Sequence, residues 1–418
     1  MQVQDATVSG AATDAVAAPG DFWQRVARDF GDDLAVDALD RDRAGKPPND
    51  EVARLRESGL PGVLAPPGTA GGGTDWEHAC AIVRGIAAAD GSIGELLGRH
   101  YVLSWSPRFF APPEQAVDVE TRAAREQWLW AGDTGSSRAD GAAAPGDEGT
   151  VPVLVPVDGG FLLSGQRSLA TAVSVADRLV LDAVCTSTGE AFVVLVDPRH
   201  PGVSRDRLPD RLGQRLADAG TVHFDDVPIG AGDVLGAAAH DEDVVDPFAT
   251  VAPLAVRLML TQVALGVAEG ALAEARDLSR VASRTRRAAV GGNILTPADG
   301  TDPDVSLAFG ELALAAHSAS AVVDQASAAM ARALRAGREL DPERHADTAA
   351  LVAAAETVAF RAALLVGERV LELAGAEGLD RFWRNIRVLA RRGSSGPTLR
   401  AIGDHFLNSV RTPSAQWT

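Results

Sequence analysis

Hydrophobic positions change their spacing twice along the chain, dividing it into three zones. Over 21–128 they recur at helical intervals. In "DEVARLRESGL", Val52, Leu55 and Leu60 fall near one face, and Gly59 and Pro61 mark a stop. A Gly/Pro loop, "LAPPGTAGGGTDW", interrupts the pattern, and "EHACAIVRGIAAADGSIGELLGRHYVLSW" resumes it. Over 129–240 the runs are short, apolar or alternating, and separated by Gly, Asp and Pro: "VPVLVPV", "GFLLSG", "RLVLDAV", "AFVVLVD" and "GTVHFDDV". They predict antiparallel strands, with "SSRADGAAAPGDEG" as a mobile loop. Over 241–418 three long alanine-rich amphipathic stretches predict a helical bundle. They are apolar on more than one side, which predicts a second buried face against another subunit. Residues 1–20 have no basic region followed by an apolar one, so they read as a disordered tail rather than a signal peptide.

Composition narrows the setting. The two cysteines, Cys80 and Cys185, are far apart, which argues against a disulfide framework or a thiolate zinc site and suits a cytoplasmic location. A formal charge of −18 repels nucleic acid and anionic membranes, although a local phosphate pocket remains compatible with it. The most apolar stretch, "VAPLAVRLMLTQVALGVAEG", is broken by Arg257 and Gln262, which argues against a membrane span. "HDEDVVD", around His240, lacks metal-ligand spacing and reads as a solvated acidic turn. "GSSG" at 393–396 lacks the strand and spacing of a nucleophile elbow, and "GTAGGGTDW" lacks the GK[ST] of a phosphate loop.

Helices, then a small β domain, then a helical bundle is the order found in the acyl-CoA dehydrogenase superfamily. "AAADGSIGELLGRHYV", "DGGFLLSGQRSLATAVSVADRLVL", "RLGQRLADAGTVHFDDVPIGAGDVLG" and "DPDVSLAFGELALA" resemble that family, in the same order. "GLDRFWRN" and "AIGDHFLN" resemble its dibenzothiophene monooxygenase-like branch, two-component enzymes that use reduced flavin. The resemblance implies a fold that is mainly α with a central β domain, and a chain that takes reduced FMN or FAD from a separate reductase. With O2 it would hydroxylate or oxidise a small molecule. The resemblance also implies a homotetramer.

The same resemblance nominates site residues. Thr171, in "GQRSLATAVSVAD", matches the Thr or Ser that meets the flavin near N5, where a fixed hydroxyl can accept the N5 proton in a hydrogen bond. Read alone, it is an ordinary β-branched strand residue. His100, in "GELLGRHYV", matches a histidine of the monooxygenase branch suited to holding or supplying a proton. Without the resemblance it is a helix-end histidine packed beside Tyr101 or Trp105. "QWLWAGDTGSS" matches the segment lining the flavin ring, which nominates Trp130, Asp133 and Ser136. Trp128 and Trp130 share a face of a strand, as core residues also would. Relatives often carry Asn at the position of Asp133, and an ionised Asp beside a reduced flavin is unfavourable unless paired.

Arg284 matches an arginine that binds flavin phosphate, commonly across a subunit boundary; Arg286 and Arg287 make a basic surface run the plain alternative. Gly375 and Gly378 offer backbone N–H groups to the cofactor, but Glu377 stands where the branch tends to have Arg. In the sulfur-oxidising relatives two histidines occupy the places of Leu389 and Arg392. Their absence points away from aromatic thioethers and toward another small molecule, such as an amine. Arg392 is then either an anion or charge partner or a solvated side chain. "VLARRGSSGPTLRAIG" also lacks the carboxylate base of the dehydrogenases. An acyl-CoA dehydrogenase or oxidase with a relocated base, or a non-redox member of the fold, are the alternatives.

Overall fold

Seven helices come first: α1 (Pro19–Val36), α2 (Ala38–Ala44), α3 (Asn49–Ser58), α4 (Trp76–Ala89), α5 (Gly91–Ser104), α6 (Ser106–Phe110) and α7 (Pro113–Glu126). Their starts follow capping chemistry. Asp75 accepts the His78 N–H ahead of α4, and Asp90 accepts the Ser92 and Ile93 N–H groups ahead of α5. This computed structural model describes residues 19–68, 73–134, 151–238, 248–289, 303–375, 378–391 and 395–408, without the side chains of 283–289 and 395–397. The tail (residues 1–18), the loop at 136–149 and the acidic turn around His240 lie outside the described residues.

The middle of the chain forms β1 (Trp130–Asp133), β2 (Val153–Val157), β3 (Gly160–Leu169), β4 (Arg178–Cys185), β5 (Ala191–Val196), β6 (Val203–Arg207), β7 (Gly220–Gly230) and β8 (Val234–Ala237). Five of these coincide with the alternating runs; β1, β6 and β8 are too short or too polar to show a period of two. The sheet is mixed rather than wholly antiparallel. β1 and β2 both run parallel to β4, along successive stretches of one edge, while the other pairings are antiparallel. This placement carries β1 out of the helical domain directly into the sheet. The register pairs Trp130 with Arg178 and Asp133 with Leu181.

Five helices follow: α8 (Val251–Ala289), α9 (Pro303–Ala336), α10 (Pro342–Ala374), α11 (Asp380–Ala390) and α12 (Ser395–Asn408). α8 is the central post. Val263, Ala264, Leu265, Val267 and Ala268 on it are fully buried, and each large aliphatic side chain so buried contributes about 1.5–3 kcal/mol. Gly270 lets α8 lie against α4, because a Cβ there would fall 2.0 Å from the Ala88 carbonyl oxygen. Three helical stretches, Val251–Ala282, Pro303–Glu339 and Pro342–Ala374, are long and apolar enough to cross a membrane. The most apolar window of the first is 83% buried inside the protein, against 22% and 39% for the others. Leu307, Leu314 and Leu365 stand exposed on α9 and α10.

"GLDRFWRN" forms the start of α11 and joins all three zones. Arg381 donates to the Glu274 carboxylate on α8, at 2.6 Å for the shorter bond. Arg384 donates to Asp42 on α2 and to the Leu212 carbonyl of the β6–β7 connection. Asn385 Oδ1 accepts the Gln214 N–H at 2.7 Å. Gly213 is required there, since a Cβ would meet the Arg384 carbonyl oxygen at 2.4 Å. The side-chain amide of Gln214 is buried without a partner among the described residues. Leu389, the place where the resemblance predicts a histidine in a sulfur-oxidising enzyme, is 1% exposed core.

Candidate flavin site at the ends of β1 and β3

Thr171 lies two residues beyond β3, on a turn held tightly in place. The Ala172 N–H donates to the Ala217 carbonyl, the Val173 N–H to the Asp218 carbonyl, and the Ser174 N–H to the Asp218 carboxylate. Arg207 Nε also donates to that carboxylate, at 3.1 Å. Ala172 sits at φ +58°, a left-handed conformation that costs a non-glycine residue about 1–2 kcal/mol and persists only when neighbours enforce it. The strap supplies that enforcement. Thr171 itself is 3% exposed, and no hydrogen bond to its hydroxyl is made among the described residues. A hydroxyl that meets no described partner, on a largely buried residue at the tip of a strained and fixed turn, suits a cofactor polar atom.

His100 and Trp130 are brought together. The Trp130 N–H donates to His100 Nδ1 at 3.1 Å, and Nε2 lies 2.9 Å from the Pro61 carbonyl oxygen. The first contact makes Nδ1 an acceptor, so Nε2 carries the proton and donates it to Pro61. Burial pushes the pKa down to about 4, against the opposing pull of the Pro61 carbonyl and of Asp177. The ring is therefore neutral, with both nitrogens occupied. This corrects the expectation of a proton-supplying His100: it instead ties α5 to the start of β1 and to the loop after α3. His100, Trp105, Trp128 and Trp130 wall a cavity of about 60 Å³, which Arg56 and Pro61 also line. Thr171 is not among its lining residues. Trp128 and Trp130 pack edge to face at 5.7 Å, with the Arg178 guanidinium over the Trp128 ring.

Asp133 closes β1 and is paired. Arg167 Nη2 donates to its Oδ2 at 2.9 Å and to Asp182 Oδ1 at 2.8 Å. The condition placed on an aspartate at this position, that it be paired, is met by an arginine in "GQRSLAT" that sequence reasoning passed over. The available signal was a cation in the middle of a strand that pairs on both sides.

The remaining nominees divide. Gly375 caps α10 in the left-handed region at φ 52°, and its N–H is already given to the Leu371 carbonyl. That corrects the expectation of a free donor there. The Arg284 side chain, Ser136, Glu377 and Arg392 lie outside the described residues. The described residues present a fixed turn carrying the Thr171 hydroxyl and a strand end whose aspartate is paired with Arg167.

Residues 21–125 match the family model for the acyl-CoA dehydrogenase N-terminal domain. The chain is 28% identical to the probable FMNH2-dependent monooxygenase SfnC of Pseudomonas putida, over 92% of this chain and 95% of that one. It is 29% identical to a dibenzothiophene monooxygenase of Rhodococcus qingshengii, over 92% of each. The FMN-bound structure of TdsC from Paenibacillus sp. A11-2 superposes with a TM-score of 0.79 at 27% identity, over 93% of this chain and 97% of that one. The domain match and the superposition place the fold of the chain with the acyl-CoA dehydrogenases. Its likeness along nearly the whole chain is to the dibenzothiophene monooxygenase-like branch, and the relatives named include a probable FMNH2-dependent monooxygenase.

Proposed function

We propose that this chain is the oxygenase component of a two-component system: it receives reduced FMN from a separate reductase and uses O2 to oxidise a small molecule in the cytoplasm. The observation that carries the reading is Thr171, a largely buried residue whose hydroxyl meets no partner among the described residues, on its strapped turn. Reduced FMN, when bound, supplies the two electrons and the ring at which oxygen is activated. The chain's own residues bind it, orient it and keep water out. Thr171 accepts the N5 proton in a hydrogen bond. Trp130, Asp133 and Ser136 line the ring, and Arg284 holds the phosphate end. His100 contributes by fixing β1, and Arg392 serves as an anion or charge partner for the substrate. Leu389 in place of a histidine favours a substrate other than an aromatic thioether, such as an amine.

The exposed leucines of α9 and α10 lie on helices whose apolar windows stay mostly uncovered. A second copy of the chain is the cover that the reading supports, giving a homotetramer. Anaerobic titration with reduced FMN, followed by rapid mixing with oxygen, tests the function. Binding at a Kd well below about 1 mM and a transient flavin absorbance between the reduced and oxidised spectra are expected. Absence of binding in that range overturns the reading. Native mass measurement tests the assembly, and a monomer at micromolar concentration overturns the tetramer.

A further inference from the structure

Three successive N–H groups follow Thr171, and all three are given to residues 217 and 218. Those of Ala172 and Val173 go to the Ala217 and Asp218 carbonyls, at 2.8 and 2.9 Å, and that of Ser174 goes to Asp218 Oδ2, at 2.7 Å. The first two acceptors are backbone atoms. The third is a side chain, and more converges on it. Asp218 Oδ1 accepts the Ser174 hydroxyl at 3.0 Å and Arg207 Nε at 3.1 Å, and the Asp218 side chain is 0% exposed. A carboxylate can accept all three bonds, whereas an amide of the same shape accepts only at its oxygen. Arg207 is anchored in turn: its Nη2 donates to the Gly45 carbonyl, just beyond α2, at 2.7 Å. The backbone is strained on both sides of the contact. Of the six described non-glycine residues at positive φ, Ala172, Gln214 and Asp218 belong to this one unit, in which the Gln214 carbonyl accepts the Ala217 N–H. Such strain persists only where the surroundings over-determine it.

We propose that Asp218 is a positioning residue for the oxygenation site. Its carboxylate holds Ser174 in place and so fixes where the Thr171 hydroxyl stands, while Arg207 ties that carboxylate to the helical domain. Asp218 acts through the Thr171 turn rather than on the flavin. The inference rests on the reading that Thr171 meets the flavin near N5. Replacing the carboxylate by an amide keeps the size of the residue and its tolerance of the left-handed region. It leaves at least one of the three donors without its acceptor. The backbone bonds of Ala172 and Val173 survive, so the turn stays folded while its tip loses its fixed place. A small misplacement near reacting atoms costs rate out of proportion to the stability lost.

The test uses the full chain in four forms, wild type, Asp218→Asn, Thr171→Val and the double variant, with Arg381→Met as a destabilised control. Each is loaded with reduced FMN under anaerobic conditions and mixed rapidly with oxygen without substrate. The decay of the transient flavin absorbance is timed, and thermal unfolding of the flavin-free proteins is measured alongside. Asp218→Asn is expected to shorten the transient about tenfold, the order of one hydrogen bond, while its Kd for reduced FMN stays within about threefold of wild type. Thr171→Val should shorten it at least as much. The double variant should decay like Thr171→Val alone, because a group that acts through Thr171 then has nothing left to act on. Arg381→Met should lower the unfolding midpoint without changing the lifetime. If Asp218→Asn does not fold, Ser174→Ala removes one donor to the carboxylate and should shorten the transient about threefold. An Asp218→Asn lifetime within about twofold of wild type, or a loss equalled by Arg381→Met, makes Asp218 a structural residue and overturns the positioning role. A double variant that decays faster than Thr171→Val by the factor seen for Asp218→Asn alone overturns the route through Thr171. A Thr171→Val lifetime equal to that of wild type removes Thr171 from the flavin, which overturns the reading beneath the inference whatever Asp218→Asn does.

Discussion

α11 and the turn after β3 both bury polar groups at the junction of domains, yet they treat them differently. On α11 the polar face is matched: Arg381 meets Glu274, Arg384 meets Asp42, and Asn385 accepts the Gln214 N–H. Around Thr171 the matching is incomplete. Its hydroxyl meets no partner among the described residues, Arg167 Nε and Asp182 Oδ2 on the neighbouring strands are buried without one among the same residues, and Ala172 is held in a left-handed conformation. Unsatisfied groups and strain both cost stability, and proteins tend to tolerate them where function requires it. The two regions therefore differ in what they are built for. α11 spends its polar groups on holding three zones together. The β3 turn keeps groups in reserve for something outside the chain.

The sharpest way to break that contrast is to damage α11. Arg384→Met leaves Asp42, only 8% exposed, without its cation. Losing one partner of such a pair costs about 3 kcal/mol, read as a lower midpoint in urea or heat. Arg381→Met should cost about 1 kcal/mol, because Glu274 is 36% exposed and water replaces much of the interaction. The folded fraction of each variant should bind reduced FMN like wild type. A loss of FMN affinity larger than the loss of stability would place α11 in the site and dissolve the distinction.

The fold was legible because its signals are long. Three amphipathic helices of more than 30 residues and five alternating runs leave little freedom of architecture. β1 was not legible as a strand: four residues, "WAGD", cannot display a period, and their pairing with β4 is parallel and distant. The site was legible only through resemblance. Nothing in the composition of "SLATAVS" announces a strained turn, because the strap comes from Ala217 and Asp218, more than 40 residues away. The role of His100 was misread for a related reason. Its two partners, the Pro61 carbonyl and the Trp130 amide, are backbone atoms, and backbone partners carry no residue signature.

His100 gives an effect of intermediate size with a pH signature. Its folded-state pKa is about 4, below the ordinary value of 6.5, because burial disfavours the charged ring. Between those values the unfolded chain binds a proton that the folded chain refuses. Stability is therefore fully present above pH 6.5 and is lost as pH falls toward 4, by about 2 kcal/mol at pH 5. His100→Gln loses at least one of the two backbone hydrogen bonds, costing about 1 kcal/mol at pH 7, but is freed from the proton penalty. The unfolding curves of parent and variant should cross between pH 5 and 6.5. A variant less stable by the same amount across the whole range would mean that His100 titrates alike in the folded and unfolded chains, so that burial does not hold it neutral.

Thr171→Val should produce the smallest change in stability and tests the reserve most directly. Elsewhere a buried Thr→Val change removes a bonded hydroxyl and costs about 1 kcal/mol. Here the hydroxyl has no partner among the described residues, so exchanging it for a methyl group of similar size should leave stability within about 0.5 kcal/mol, or raise it slightly. The function should move the other way. With the N5 hydrogen bond gone and the rest of the turn intact, oxygen consumption continues, but less of it reaches substrate. The ratio of hydrogen peroxide released to substrate oxidised should rise about tenfold, the order of one hydrogen bond. A variant that loses more than 1.5 kcal/mol while keeping its coupling would show that Thr171 is a structural residue after all, and would place the β3 turn in the same category as α11.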